Sequence, residues 1–498
     1  MQTQKQPSVK SDSRLVQPGD TFVAIRGAIS DGLKFVDAAI RAGAVEIVSE
    51  SPRPETGIPL EIQWRTVVDT RAEIARLACI AFDNPSQSLD VFGITGTNGK
   101  TTTAMLMRKI LNDCAKPSGL VSTISNITAP PPKQTLVDSL AHKNQQEAAE
   151  TPATNTTPGP LELQALFAEM LANGCKAAVM EVSSHAIDQR RMEGTRFAAL
   201  AFTNLTQDHL DYHLTMENYF QAKRSLFIPY RAPSVINIDC PYGRLIFEEL
   251  KSSNPTQVLS YGCSPDAEIR FSEEKLLSTG SEFLLTYPGG SERMRVKLMG
   301  RHNLHNLLAA FSMAILYGIN PQQAINSLSS AEPVRGRLER VSSKASPASF
   351  FVDYAHTPDA IENVLKTLRE ITTGRLIIVF GAGGDRDRRK RPLMAEAASR
   401  LADIAIVTSD NPRSEDPASI IEDILAGIPE SRLTETKHGE PTVLVEQDRR
   451  TAIRHSVLMA TQPGDLVLIA GKGHETYQIF ADRTEHFDDR EELITWGS

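Results

Sequence analysis

The stretch Leu89-Asp-Val-Phe-Gly-Ile-Thr-Gly-Thr-Asn-Gly-Lys-Thr-Thr102 decides how the middle of the chain is read. Residues 89–95 read as a strand that runs into a Gly-rich turn, and a helix-forming run opens at Lys100. Glycines in such a turn let backbone N–H groups approach a phosphate, and the following helix N-terminus adds positive potential. In that setting Gly96, Thr97, Asn98, Gly99 and Thr102 frame the anion, Lys100 reaches the outer phosphates and Thr101 ligates Mg²⁺. The spacing departs from a strict Walker A motif, because Ile94 stands where the first glycine belongs. A plain glycine turn is the alternative, and the strand-turn-helix context with Lys-Thr-Thr favours phosphate.

Outward from this turn, 498 residues suggest roughly three domains at about 150 residues each. Hydrophobic residues at 41% and charged residues at 23% exclude a disordered or fibrous chain. The balance of 53 Lys+Arg against 61 Asp+Glu, net −8, does not indicate nucleic-acid binding. An anionic ligand must therefore be held by local positive groups. Cys79, Cys114, Cys175, Cys240 and Cys263 are scattered, with no C-x-x-C, which points to a reducing compartment. The first residues show no apolar signal segment, and no apolar run approaches the 18 residues of a spanning helix. The expectation is a cytoplasmic protein with no membrane partner, acting as a monomer.

Residues 1–88 read as a small α/β unit, with strands at 21–25 and 45–48 and a helix at 35–42 ending at Gly43. Residues 89–332 add strands at 177–182, 200–204 and 235–238, and an amphipathic run at 303–318. Residues 128–150, rich in Pro, Gln and Lys, read as a flexible insertion. Residues 333–498 alternate: strands at 350–354, 376–380, 404–408 and 466–470, with helices at 361–371, 393–401, 420–428 and 452–460. Such alternation, with strands apolar on both faces, means a mostly parallel sheet covered by helices.

Further polar motifs follow strands. In Met180-Glu-Val-Ser-Ser-His185, Glu181 either completes an Mg²⁺ shell or is a buried or capping carboxylate. Asp208-His-Leu-Asp-Tyr-His213 is either a metal site or a solvated acidic loop. In the last segment Asp353-Tyr-Ala-His-Thr-Pro358, Gly381-Ala-Gly-Gly-Asp-Arg-Asp387, Asp410-Asn-Pro-Arg413 and Gly471-Lys-Gly-His-Glu475 each follow a strand. Ligands of open α/β sheets bind at that edge, so four polar loops there mark a site.

Together with Ser13-Arg-Leu-Val-Gln-Pro-Gly-Asp20 and Gly300-Arg-His-Asn-Leu-His-Asn306, these motifs resemble the Mur ligase family over nearly the whole chain. The resemblance implies an α/β fold of three domains: a UDP-binding domain at 1–88, a central P-loop-type ATPase domain at 89–332 and a Rossmann-like amino-acid-binding domain at 333–498. It implies an ATP-driven ligation in which a carboxylate of UDP-N-acetylmuramoyl-L-alanyl-D-glutamate is phosphorylated and then attacked by an amine. By resemblance, Lys100, Thr101 and Glu181 hold MgATP, and His209 ligates a second Mg²⁺. Lys223 aligns with the lysine that the family carbamylates to an N6-carboxylysine facing the metal; a helix-surface lysine is the plain alternative. Asn303 and Asn306 match residues near the adenine, where an N-cap is the alternative, and Arg337 matches a linker arginine that reaches ATP. Asp353 and His356 border the nucleotide, His356 with a structural hydrogen-bonding role as its alternative.

The resemblance also places Ser13, Asn155, Thr156, Thr157, Ser183 and Arg191 on the UDP-substrate. Asn411 and Arg413 become the selectors of meso-diaminopimelate, joined by Arg386, Asp410, Pro412, Gly471 and Glu475; the alternative for Arg413 is a surface pair with Glu415 or Asp416. Ser122, Ser125 and Cys240 depart from the family pattern. A sister ligase using L-lysine, a folylpolyglutamate synthetase and a nucleotide-gated binding protein without turnover are the competing readings.

Overall fold

The computed structural model describes residues 8–27, 31–131, 150–153, 155–253, 257–341, 346–437 and 440–496. Most of the insertion read at 128–150 lies outside them. The chain forms two compact units: Met1–Thr95, Leu111–Leu200 and Ala222–Pro233 make the first, and Gly96–Ile110, Ala201–Gln221 and Ser234–Ser498 the second.

In the first unit, strands Val9–Lys10, Thr21–Val23, Glu46–Ser49 and Gln63–Thr66 form a four-stranded parallel sheet in that order. The expected helix is present as Val36–Arg41, and Gly43 stops it at φ 103°, where a side chain would be strained. Phe22, Ala39 and Ile47 form the core beneath it. Helix Thr70–Ala81 escaped the sequence reading, although Asp69 caps it by accepting from the N–H of Arg71 and Ala72 (2.8 and 3.0 Å).

Strand Asp90–Thr95 pairs in parallel with Ala177–Glu181, which pairs in parallel with Ser118–Val121. Short antiparallel strands Ser125–Ile127 and Glu150–Pro152 extend that edge. Phe92, Ile94, Val179 and Leu120 are wholly buried, as the unbroken apolar runs predict for a covered sheet.

In the second unit, Ser234–Asn237 pairs in parallel with Val258–Gly262, followed by an antiparallel meander of Ile269–Leu277, Gly280–Tyr287 and Gly290–Val296. The sequence reading had no meander here, because these strands are half-exposed and charged. Helix Arg301–Tyr317 replaces the expected 303–318 and ends at Gly318 (φ 97°).

A six-stranded sheet completes the second unit, in the order Glu339–Val341, Ser349–Asp353, Leu466–Ala470, Leu376–Phe380, Ile404–Val407, Val443–Val445. Only the first pair is antiparallel. Helices Pro358–Ile371, Lys390–Leu401 and Pro417–Leu425 pack on one face, and Arg449–Met459 and Asp489–Trp496 on the other. The third of these ends at Leu425, short of the expected Ile428, and at Gly427 the chain passes so close to Pro392 that a Cβ would lie 1.9 Å from its carbonyl oxygen. Because the five main strands run parallel, the loops at Asp353, Gly381, Asp410 and Gly471 leave the same edge.

Candidate functional site

Helix Lys100–Asp113 begins where the Gly-rich turn ends. Gly99 has φ 88°, and a Cβ on it would meet Asn306 Oδ1 at 2.2 Å; a Cβ on Gly96 would meet Thr203 Oγ1 at 1.8 Å. Neither position admits a side chain without a shift of its neighbours. Asn98 is fixed from two sides: its N–H donates to Asn204 Oδ1 (2.8 Å) and its amide to Asp359 Oδ2 (3.0 Å). Thr97 Oγ1 lies 3.1 Å from the Tyr219 hydroxyl. The Lys100 ammonium curls back over the turn, donating to the Gly96 and Thr97 carbonyls at 2.9 and 2.7 Å.

The turn opens into a cavity of about 420 Å³ within the second unit. Its walls include Asn98 and Gly99 from the turn, Thr101 and Thr102 from the start of helix Lys100–Asp113, Asn303 and Asn306 from helix Arg301–Tyr317, and Arg337, Asp353 and His356. Sequence positions separated by more than two hundred residues thus share one cleft. Arg337 donates to Thr101 Oγ1 (3.0 Å) and sits over the Tyr354 ring, its Cζ 4.6 Å from the centroid. Asn303 and Asn306 are not an N-cap: Gly300 occupies that position, Asn303 donates to the Met299 carbonyl and Asn306 to Asn303 Oδ1.

Burial raises the Asp353 carboxyl, which accepts from the N–H groups of Leu338 (2.5 Å) and Ala355 (2.7 Å). His356 bonds the Tyr354 carbonyl through Nδ1 (2.8 Å); burial, then the nearby Lys390 charge, lowers its pKa to about 4, so it is neutral at pH 7. His209 takes a left-handed backbone (φ 53°), with Nε2 3.5 Å from Asp208 Oδ2. Asp208 is buried rather than solvated. Burial alone would raise its carboxyl, but the charges of His209 and Lys390 outweigh this and hold it well below the usual carboxylate range. The solvated-loop reading of this motif therefore fails at Asp208.

At the edge of the six-stranded sheet, Asn411 donates to Glu475 Oε2 (2.8 Å) and accepts from Lys472 Nζ (3.0 Å) and from the Ile479 N–H (3.0 Å). Lys472 is wholly buried, 3.4 Å from Asp410 and 3.9 Å from Glu475. The sequence reading missed its role, although it stood inside the Gly471 motif. Burial and the Asp410 charge push Glu475 up to about 7; the Lys472 and Arg449 charges outweigh burial at Asp410 and keep that carboxyl low. Arg449 is itself buried against Asp489 (2.7 Å) and donates to the Ala470 carbonyl.

Arg413 (φ 53°) donates to the Gly384 carbonyl at 2.8 Å. Glu415 is instead engaged by Arg391 at 2.7 Å, so the surface-pair alternative for Arg413 is not what the fold adopts. Pro412 lies between Asn411 and Arg413, and a Cβ on Gly471 would sit 3.1 Å from Asp410 Oδ2. Arg386 is exposed, with one guanidinium nitrogen on the Asp385 carbonyl.

The first unit holds a separate cluster. Glu181 is wholly buried and accepts from the Thr123 N–H and hydroxyl (2.9 and 3.0 Å). Thr156 Oγ1 lies 3.1 Å from that hydroxyl. Thr157 Oγ1 donates to the Glu181 carbonyl and accepts from the Ser183 N–H, and Arg191 reaches the Thr157 carbonyl. Ser183 caps helix Ser184–Asp188. Asn155 is exposed beside this group, whereas Ser13 lies in the short helix Ser13–Leu15 of the four-stranded region. Ser122 closes its own turn by donating to the Ser125 carbonyl (2.8 Å). Lys223 is 1% exposed and donates to Thr95 Oγ1 (3.5 Å), which removes the surface-lysine alternative.

A strand, Gly-rich turn and helix, a cleft of about 420 Å³ beside the turn and a mostly parallel sheet with polar loops on one edge are the parts of an α/β enzyme. The chain belongs to the Mur ligase family: residues 94–314 match the Mur ligase middle domain and 336–473 the Mur ligase, glutamate ligase domain. It is 42% identical to the UDP-N-acetylmuramoyl-L-alanyl-D-glutamate--2,6-diaminopimelate ligase of Geobacter metallireducens, covering 97% of this chain and 92% of that one. Identity to the ligase of the same name from Gloeobacter violaceus is 43%, with the same coverage. A solved structure of a ligase of that name superposes with a TM-score of 0.66 at 32% identity, over 98% of this chain and 94% of the other.

Proposed function

We propose that this chain is an ATP-dependent ligase that joins meso-2,6-diaminopimelate to UDP-N-acetylmuramoyl-L-alanyl-D-glutamate in the cytoplasm, with its three domains at 1–88, 89–332 and 333–498. Identity above 40% over nearly the full length with ligases named for that reaction carries the reading. Among the described residues no helix is long and apolar enough to cross a membrane.

In this reading the ATP phosphates lie along residues 96–102 and the base lies toward Asn303 and Asn306. Lys100 leaves the Gly96 and Thr97 carbonyls to meet the transferring phosphoryl group, and Arg337 adds a second cation beside Thr101. The D-glutamyl carboxylate attacks the γ-phosphorus, releasing ADP and forming an acyl phosphate. The diaminopimelate amine then attacks the acyl carbon, an amide bond forms, and phosphate departs. Such transfers depend on positioning and charge neutralisation.

The donors proposed for Mg²⁺ are the Thr101 hydroxyl and the His209 imidazole of the second unit and the Glu181 carboxylate of the first, groups of the kind that ligate it. An ammonium cannot ligate a cation, so Lys223 fits this set as a carbamate, which makes it an oxygen donor. When bound, the ion supplies neutralisation of phosphate charge. Thr156, Thr157, Ser183 and Arg191, with Asn155 and Ser13, are the proposed contacts to the UDP-substrate.

Diaminopimelate differs from lysine by a far carboxylate, and a guanidinium holds a carboxylate with two parallel hydrogen bonds. Arg413 is the proposed fork, Asn411 its neighbour, and Glu475 the acceptor for the far ammonium. An amino-acid panel in a phosphate-release assay that requires the UDP-substrate tests this. Diaminopimelate should be used far better than lysine, and Arg413→Ala should lose most of that preference. Equal use of lysine by the unaltered enzyme would overturn the assignment.

A further inference from the structure

Asp239, Cys263 and His305 lie outside every role assigned above, on three separate elements of the second unit. Asp239 follows strand Ser234–Asn237, Cys263 follows strand Val258–Gly262, and His305 is on the first turns of helix Arg301–Tyr317. Their ligand atoms, one carboxylate oxygen, one sulfur and one imidazole nitrogen, all lie within 4.8 Å of one another. His305 Nε2 is 2.8 Å from Asp239 Oδ2. Bond lengths of 2.0–2.3 Å to one central ion place tetrahedral N, O and S donors about 3.3–3.8 Å apart, so an ion entering here replaces the 2.8 Å hydrogen bond between His305 and Asp239 and parts the two groups by about half an ångström or more.

The supports around the triad are those a metal site needs. His305 Nδ1 donates to the Arg301 carbonyl (2.9 Å), which leaves Nε2 as the coordinating nitrogen. The Asp239 carboxylate is oriented by the N–H groups of Cys263 (2.5 Å) and Ser264 (3.0 Å). Phe271 packs edge-on against the His305 ring, with centroids 5.1 Å apart. Cys263 is exposed, and with Asp239 it lines a surface groove that gives an ion a route in from solvent.

We propose that Asp239, Cys263 and His305 form a binding site for a zinc-class divalent cation, with three protein ligands and one open position. A mixed thiolate, imidazole and carboxylate set suits zinc or cobalt and not magnesium, which takes oxygen donors. Asp239 and His305 also wall the cavity assigned to the nucleotide, so a metal here stands at its rim.

The test uses the full chain, stripped with chelator and titrated with Co²⁺ in excess Mg²⁺. The expected result is one Co²⁺ per chain with a sulfur-to-cobalt charge-transfer band and the visible bands of a tetrahedral ion. Cys263→Ser and Cys263→Ala should each lose the charge-transfer band while keeping the wild-type circular dichroism. Alkylation of Cys263 should be slowed at least tenfold by Zn²⁺ and unchanged by Mg²⁺. No charge-transfer band in the unaltered protein, or a band that survives in both variants, overturns the site. Alkylation that is indifferent to Zn²⁺ does so equally.

Discussion

Replacing Lys472 by Met keeps the length of the side chain and removes a buried charge that lies between two carboxyl groups. The ammonium is fully buried, donates to Asn411 Oδ1 (3.0 Å) and the Tyr477 carbonyl (2.7 Å), and sits between Asp410 and Glu475. Breaking a buried ion pair costs about 3–5 kcal/mol, because the surviving charge is left uncompensated. The lower end applies here. Arg449 still helps Asp410, and Glu475, with its pKa near 7, sheds its charge easily. A loss of about 3 kcal/mol moves a thermal midpoint by about 5 °C for a unit of about 300 residues. Circular dichroism melts at pH 7 should show that drop for Lys472→Met. At pH 5 the deficit should shrink, because a protonated Glu475 needs no partner. The same variant should raise the KM for diaminopimelate, since Asn411 and Glu475 lose their shared anchor. A deficit under about 1 kcal/mol, or one equal at both pH values, would refute the view that Lys472 holds this edge together.

Lys100→Ala should lower phosphate release by at least a hundredfold, a cost of about 3 kcal/mol for removing one charge aimed at the transferring group, with the fold unchanged; wild-type rates would return residues 96–102 to a plain glycine turn. Lys223→Ala should lose activity that bicarbonate cannot restore and formate partly can, whereas full activity would exclude a carbamate. Glu475 has a folded pKa of about 7 against 4.5, so the folded state holds that proton more tightly. Its contribution to stability is therefore complete below about pH 4.5 and is lost as pH rises through about 7. Denaturant melts of Glu475→Gln at pH 4.5 and pH 8 should show a smaller fall than the parent chain, and parallel falls would contradict the shift.

Local pattern determined much of this protein. The apolar run at 89–95 followed by two glycines and Lys-Thr-Thr could only make a strand, a tight turn and a helix, because each element is specified by residues within a few positions. The alternation after residue 333 likewise specified a parallel sheet, and parallel strands send the Asp353, Gly381, Asp410 and Gly471 loops to one edge whatever their order. The half-exposed meander at 269–296 and the helix at 70–81 were less legible, since charged, partly solvated faces carry a weak periodic signal. Tertiary structure alone decided which side chains meet. Strand order and register bring Lys472 under Asn411, 61 positions away, and His305 onto Asp239, 66 positions away. Burial converted Lys223 and Asp208 from surface charges on paper into interior groups. Periodicity records which face of an element is apolar, but not which element that face will cover, and charge placement follows from the second.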